Sequence, residues 1–434
     1  MSNNWNKIVF YNSILSKAKD EEKKEAIQLY FQQLWQMDNL VVLLGAGFSK
    51  HLNGPLMGDL SKSILPGVIL EGYKVLKKEN TTKEELKKWV TLWGISENII
   101  DSTDKKDTDK LKEHCYALNI EEKIGSLQSI VNAYEVLGGN ADAYKKALDT
   151  IKEKIVSKIS RVTPHISDKE FNPFCEKLIP YRIFLKRLIK YRRPQQPRIK
   201  IFSSNYDKII ESACDMEGIN CITGFDGKNI RTMNATNFDL ELSFRPTGQS
   251  SVYYPNLIHL YKLHGSIDWK KVRIEGMDEV IQDDNPGQEV IIYPCYTKFA
   301  ETLEMPYYEM FRRLGSAVSQ PQTVLLSLGY GFQDDHINQM ILKAYKNPSC
   351  QLILCEPKAF DSSKKIGNFF DSLMEIASRS NSGDDRDDPR VTILGGDSAN
   401  FPNILQILFP PIEIESPADR IKNLVKRLIE FGGK

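Results

Sequence analysis

Apolar positions along this chain follow two periods, and the change from one to the other divides it. Short, mostly apolar runs occur at Leu40–Leu44, Ile199–Phe202, Ile258–Leu263, Thr323–Leu328, Gln351–Leu354 and Val391–Leu394. Each reads as a strand buried on both faces. Ile291–Tyr293 reads as another short strand. Helical periodicity fills Tyr206–Met216, Tyr307–Val318 and Asp335–Tyr345 between them. Strands alternating with helices predict an α/β fold, a mostly parallel sheet with helices on both faces. Ahead of the first run, Glu21–Met37 puts Ala26, Ile27, Tyr30, Phe31, Leu34 and Trp35 on one helical face.

From about Leu56 to Tyr191 the alternation stops. Helical stretches take its place at Lys83–Trp93, Ile120–Leu137, Ala141–Ile159 and Phe174–Tyr191, with Thr103–Asp107 as an exposed loop between two of them. The predicted organisation is an N-terminal helical segment (1–39) and an α/β domain (40–410). A large α-helical insertion (66–196) interrupts that domain, and a C-terminal helix (411–434) follows it. Ala418–Phe431 is amphipathic, and Asn381–Pro389 reads as a charged surface loop.

Bulk properties narrow the class. A chain of 434 residues exceeds one simple core. A formal net charge of +1 does not mark a nucleic-acid binder. No apolar run is long enough to cross a bilayer, and Met1–Lys7 carries no basic-then-apolar leader. The seven cysteines include no Cys-x-x-Cys pair, so the usual structural zinc spacing is absent. Scattered and odd in number, they suit a reducing cytoplasm.

Three strand ends carry the chemistry. Leu40–Leu44 breaks into Gly45-Ala46-Gly47-Phe48-Ser49. Glycine there lets the backbone approach a pyrophosphate with no Cβ in the way. Amides at a following helix start can hold the phosphate charge, and Ser49 adds a hydroxyl. Lys50 stands where the common dinucleotide fingerprint has its third glycine, so a plain tight turn is the alternative. Past Ile199–Phe202 come Asn205, Tyr206 and Asp207. Either polar residue can cap the next helix. An amide at Asn205 can also orient a ribose hydroxyl and a water. Past Leu263 comes His264, an imidazole being the side chain that ordinarily titrates near neutral pH, and Gly265 leaves a ligand room beside it. Ligands of open α/β sheets bind beyond the carboxyl ends of the strands. The three segments therefore predict one site on a Rossmann-like sheet that binds a dinucleotide, with Asn205 and His264 acting on it. His336 follows Gly329-Tyr330-Gly331, where it shapes the ribose side or caps a helix, and His51 lies close to the glycine turn. His114, His165 and His259 carry no signal.

Taken together, these segments resemble the sirtuin family. Gly45-Ala46-Gly47-Phe48-Ser49 is similar to its Gly-Ala-Gly-x-Ser nucleotide loop, Asn205-x-Asp207 to its Asn-x-Asp element, and His264-Gly265 to its catalytic His-Gly. Gly329-Tyr330-Gly331 stands where the family has a glycine turn against the ribose. The resemblance implies NAD as substrate, held by Gly45, Ala46, Gly47, Phe48, Ser49, Gly329 and Tyr330, with Asn205, Asp207 and His264 catalytic. Protein-deacylating sirtuins carry a four-cysteine zinc module and a Pro-Asp-Phe-Arg element. This chain has neither, and runs Gly54-Pro55-Leu56-Met57-Gly58-Asp59-Leu60 at the second.

It is more similar to the bacterial sirtuin-like NAD hydrolases of anti-phage defence. The Ser-Asn-Tyr-Asp and Gly-Tyr-Gly-Phe-x-x-x-His-Ile-Asn segments are typical of that branch. That likeness implies an NAD+ glycohydrolase that releases nicotinamide and ADP-ribose, without zinc, in the cytoplasm. It also implies a homo-oligomer, with a separate HerA-type hexameric ATPase as a partner of some members and the helical insertion as an assembly surface. An NAD-dependent deacylase and a non-catalytic NAD or ADP-ribose sensor are the alternatives. A basic run from Lys186 through Arg187, Lys190, Arg192, Arg193 and Arg198 to Lys200 reads as a solvated helix end and linker rather than a nucleic-acid contact.

Overall fold

A computed structural model describes residues 9–11, 23–78, 81–96, 105–193, 195–245, 247, 250–284, 289–291, 306–361, 367–378 and 388–409. The predicted C-terminal helix and the loop 381–387 lie outside these residues.

The apolar runs form the central sheet. Its strands are β1 (Val9–Tyr11), β2 (Asn39–Leu44), β3 (Ile199–Ser203), β4 (Asn220–Ile222), β5 (Leu257–Lys262), β6 (Thr323–Leu328), β7 (Cys350–Cys355) and β8 (Val391–Gly395). They lie in the order β1-β8-β7-β6-β2-β3-β5-β4. Seven are parallel, and β1 adds antiparallel to the β8 edge. The segment expected to be only helical before residue 39 thus also supplies an edge strand. From β2 the chain steps one way to β3 and β5, then returns to β6 on the other side of β2 and continues to β7 and β8. This is the doubly wound order, with its switch point between β2 and β6. The fold is Rossmann-like α/β.

The helices are α1 (Lys23–Leu34), α2 (Met57–Lys78), α3 (Lys83–Trp93), α4 (Lys105–Ala117), α5 (Ile120–Leu137), α6 (Asp142–Ser160), α7 (Phe171–Lys177), α8 (Ile179–Lys190), α9 (Ile209–Glu217), α10 (Tyr307–Ala317), α11 (Asp335–Lys346) and α12 (Asn368–Ser378). Alternation along each strand sends side chains to opposite faces. Leu40, Val42, Ile201 and Leu260 meet α1, α8 and α9 on one face. Val41, Leu43, Phe202 and Tyr261 meet α10, α11 and α12 on the other. Trp35 closes the first core, stacked on Phe31 and Phe409 with its indole N–H bonded to the Leu408 carbonyl at 2.8 Å.

Helices α2 to α6 build a third core around Trp89, Trp93, Ile64, Leu127 and Ile151. Helix α2 runs through Pro66, so residue 66 lies within a helix rather than at its edge. Lys105–Asp107, expected in a loop, begin α4. Phe174–Tyr191, expected as one helix, divides at Leu178 because Pro180 suits the first turn of a new helix better than an interior.

A small antiparallel sheet was not anticipated. Gly265–Ile274 and Met277–Gln282 pair across a turn at Glu275-Gly276, both at positive φ, and Glu289–Ile291 joins them. Charges at Lys270, Lys271, Arg273, Asp278 and Glu279 hide its alternation. Of the expected strand Ile291–Tyr293, Ile291 alone lies among the described residues, and it pairs in this sheet rather than the central one.

Candidate functional site

The glycine turn and the Gly329–Tyr330 turn leave adjacent strands at the switch point and pack backbone against backbone. A Cβ on Gly45 would stand 2.6 Å from the Gly329 carbonyl oxygen and from Tyr330 Cα. A Cβ on Gly329, itself at φ +64, would stand 2.2 Å from the Phe48 nitrogen. The Gly47 N–H donates to the Gly329 carbonyl at 2.9 Å and the Phe48 N–H to the Gly45 carbonyl at 2.9 Å. These glycines are therefore required by the fold before any ligand enters. The turn leads into a short 3₁₀ helix at Ala46–Leu52, closed by Asn53 at φ 61, and not into the α-helix start expected there; α2 begins later. Phe48 points into the core against Tyr181 and Phe401, and its carbonyl accepts the Tyr181 hydroxyl at 2.8 Å. His51 is partly exposed beside Tyr181, and burial lowers its imidazole below the ordinary range.

The Asn205–Asp207 loop leaves β3 and turns back over the glycine turn. Asn205 Nδ2 donates to the Gly45 carbonyl and to Ser49 Oγ, both at 2.9 Å. The Ser49 hydroxyl in turn donates to Asp207 Oδ2 at 2.6 Å. Asp207 Oδ1 accepts the Ile209 N–H at the start of α9, so it serves the helix and the site together. Tyr206, between them, sends its side chain the other way. It lies in the core of the α2–α6 helices, although its ring is 6.4 Å from that of His264.

His264 follows β5 and is only 5 % exposed; Asn205 is 8 % exposed. His264 Nε2 stands 3.1 Å from Asp334 Oδ2. Oδ1 of the same carboxylate caps α11, accepting the His336 and Ile337 N–H groups at 2.9 and 3.3 Å. The Tyr330 hydroxyl accepts the Asp334 N–H at 3.2 Å and lies 2.9 Å from Asn338 Oδ1, and burial raises its phenol far above the ordinary range. Phe332 holds φ 57 between them, a left-handed backbone that costs a non-glycine residue about 1 kcal/mol, and packs on Tyr330 and Phe370.

A continuous chain of contacts therefore runs from Asp207 through Ser49, Asn205, Gly45 and Tyr330 to Asp334 and His264. Asp334 is the residue that sequence reasoning passed over. Its signal was present, an Asp three residues ahead of Ile337 at the start of an apolar helical period, but it reads there only as a cap. His336 lies 6.1 Å from Phe311 by ring centroids, with the helix capped by Asp334 instead.

Behind the loop sits a buried charged layer. Lys262, 2 % exposed, donates from Nζ to the Asp207 carbonyl and lies 3.5 Å from Glu211 Oε1. Burial raises the Glu211 carboxyl above its ordinary range. Burial would do the same to Asp268, but Lys208 at 3.4 Å, with the Ser266 and Gln282 hydrogen bonds, holds it below.

The basic run ending at Lys200 is largely used inside the protein. Lys186 pairs with Glu217 at 2.6 Å, Arg187 lies over Phe409, and Arg193 bonds Gln36. Arg192 holds the Met37 and Pro197 carbonyls, and Arg198 grips Glu241. Among the described residues, no three His, Cys, Asp or Glu side chains form a metal-holding group, and no helix is long and apolar enough to cross a membrane.

Residues 199–357 match the family model described as SIR2-like domain. The match spans β3 to just past β7, and so contains Asn205, Asp207, His264, Gly329, Tyr330 and Asp334; β2 and the glycine turn precede it. It supports a sirtuin-like family and, because SIR2-like domains use NAD, an NAD-related activity. No curated protein matches the chain.

Proposed function

We propose that this chain hydrolyses NAD+ at the bond between nicotinamide and ribose, consuming one water and releasing nicotinamide, ADP-ribose and a proton. One observation supports this above the rest. An amide, an imidazole and two carboxylates form a connected set at the switch point of a SIR2-matching sheet.

The nicotinamide ring nitrogen is already cationic and leaves neutral with the bond's electron pair, so its departure needs no acid. The transition state has oxocarbenium character, and the demands on the protein are to hold the ribose and place the water. Gly45, Ala46, Gly47 and Ser49 receive the diphosphate, with Phe48 fixing the turn from the core side. The Gly329–Tyr330 backbone lies against the ribose. Asn205 orients the ribose and the attacking water, and Asp207 holds its loop through Ser49. His264 accepts the proton through that water or a ribose hydroxyl. Asp334 Oδ2, 3.1 Å from Nε2, acts on the imidazole through its charge, favouring a proton on Nε2 and so a basic lone pair on Nδ1. Positioning contributes several kcal/mol to lowering the barrier and the base about 10²–10⁴-fold in rate.

Pure protein incubated with NAD should release nicotinamide and ADP-ribose, and His264→Ala and Asn205→Ala should lose most turnover while remaining folded. Release of neither product, by the chain alone or with a co-expressed ATPase, would end this reading. NAD binding without nicotinamide release would favour a sensor.

The low exposure of Asn205 and His264 supports a site held shut until triggered. Within this reading the chain is a cytoplasmic homo-oligomer that depletes NAD in anti-phage defence, with a HerA-type ATPase as candidate partner. The α/β unit 40–410 carries the chemistry and the helical insertion 66–196 the assembly surface. Exposed Val136 and Leu137 at the end of α5, 85 % and 83 % accessible, support the second assignment. Steady NAD loss in uninfected cells expressing only this chain would contradict the restraint.

A further inference from the structure

We propose that Lys262 is a positioning residue that sets the distance between the Asn205 loop and His264, an inference that rests on the NAD reading for its catalytic consequence. Lys262 ends β5, two residues before His264, and both its own β-strand and its side chain reach the other catalytic segment. The Leu263 N–H donates to the Ser203 carbonyl at 2.8 Å. The Lys262 ammonium donates to the Asp207 carbonyl. On the far side of His264, the Ser266 hydroxyl and the Ile267 N–H both donate to the Tyr206 carbonyl, at 3.2 and 3.1 Å. The carbonyls of Tyr206 and Asp207 are thus each tied to residues that flank His264.

Among these ties, Lys262 is the costly one. Its side chain is 3 % exposed and its counter-charge, Glu211, is at 3.5 Å with the second carboxylate oxygen buried and unbonded. Burying an ammonium carries a desolvation penalty that an apolar residue on the same strand face would avoid. Ile258 and Leu260, on that face, show that the strand accepts apolar side chains there. What the ammonium adds is a donor aimed at the backbone carbonyl of Asp207, whose carboxylate accepts the Ser49 hydroxyl. A displacement of about 1 Å at a reacting centre costs roughly 10²-fold in rate, so a tie of this kind acts on turnover more than on substrate binding.

The test pairs Lys262→Met with Lys262→Arg. Hydrogen exchange over residues 203–209 is read by mass spectrometry, beside NAD turnover and thermal unfolding. K262M is expected to exchange at least about 10-fold faster over 205–209, and to lose roughly 10²-fold in kcat with KM within a few-fold. K262R, which keeps a charged donor, is expected to be intermediate in both. A folded K262M with parental exchange over this segment would overturn the proposal. So would collapse of both variants, which would assign Lys262 to the fold alone. If only K262R folds, partial loss of protection upholds the role and full protection overturns it. The exchange measurement stands even if the parental protein releases no nicotinamide. That result would sink the hydrolase reading and leave the positioning role to be decided by exchange.

Discussion

Asp334 divides its two oxygens between a helix and a histidine, and substitutions can separate the two duties. Asp334→Asn keeps a side-chain oxygen at the cap, and Asn caps as well as Asp. It removes the negative charge from the N-terminus of α11, costing about 0.5 kcal/mol of dipole interaction. Asp334→Ala removes the cap as well, which adds about 1 kcal/mol, so its loss is about 1.5 kcal/mol. Toward His264 the two variants are alike, since neither leaves a carboxylate 3.1 Å from Nε2. An imidazole released to the wrong tautomer or tilt should lose about 10²-fold in turnover, equivalent to about 2.7 kcal/mol of barrier. Urea unfolding should therefore rank parent, D334N and D334A in order, while nicotinamide release should fall together in both variants. D334N with parental turnover would refute the orienting role, and D334A as stable as D334N would refute the cap.

Two further outcomes follow from the fold alone. Burial lowers the His259 imidazole to about 4, so it is neutral in the folded chain at pH values where the unfolded chain is protonated. The unfolded state then binds more protons between its own value near 6.5 and about 4, so stability falls as pH falls through that window, by up to about 3 kcal/mol. The difference in unfolding free energy between parent and His259→Gln should carry this slope, and a flat difference curve would contradict it. Gly329→Ala forces a Cβ into the left-handed region and against the Phe48 nitrogen. It should cost about 2–4 kcal/mol in urea unfolding, and a loss under about 1 kcal/mol would show that the two turns can part cheaply.

The central strands were legible because parallel strands buried on both faces are mostly apolar, as Thr323–Leu328 is, buried at every position with only Thr323 and Ser327 polar. The helices Lys83–Trp93 and Ile120–Leu137 were equally clear, since each keeps a helical period and ends at glycine, Gly94 or Gly138. The antiparallel hairpin was not. Gly265–Ile274 buries only its first half, and its exposed half carries Lys271 and Arg273, so no alternation stands out. At the site, polar residues following apolar strands pointed to Asn205, Asp207 and His264. Their mutual contacts depend on strand order, which no local pattern encodes. Asp334 and Lys262 lay hidden for that reason: each has an ordinary local role, as helix cap or strand residue, and gains its second one from a neighbour brought close by the sheet.

Tyr206 anchors the Asn205–Asp207 loop in the core of α2–α6 while its neighbours on both sides face the glycine turn. The helices therefore grip the loop by a lever of one residue. A displacement of those helices at Tyr206 would reach Asn205 across a single peptide bond.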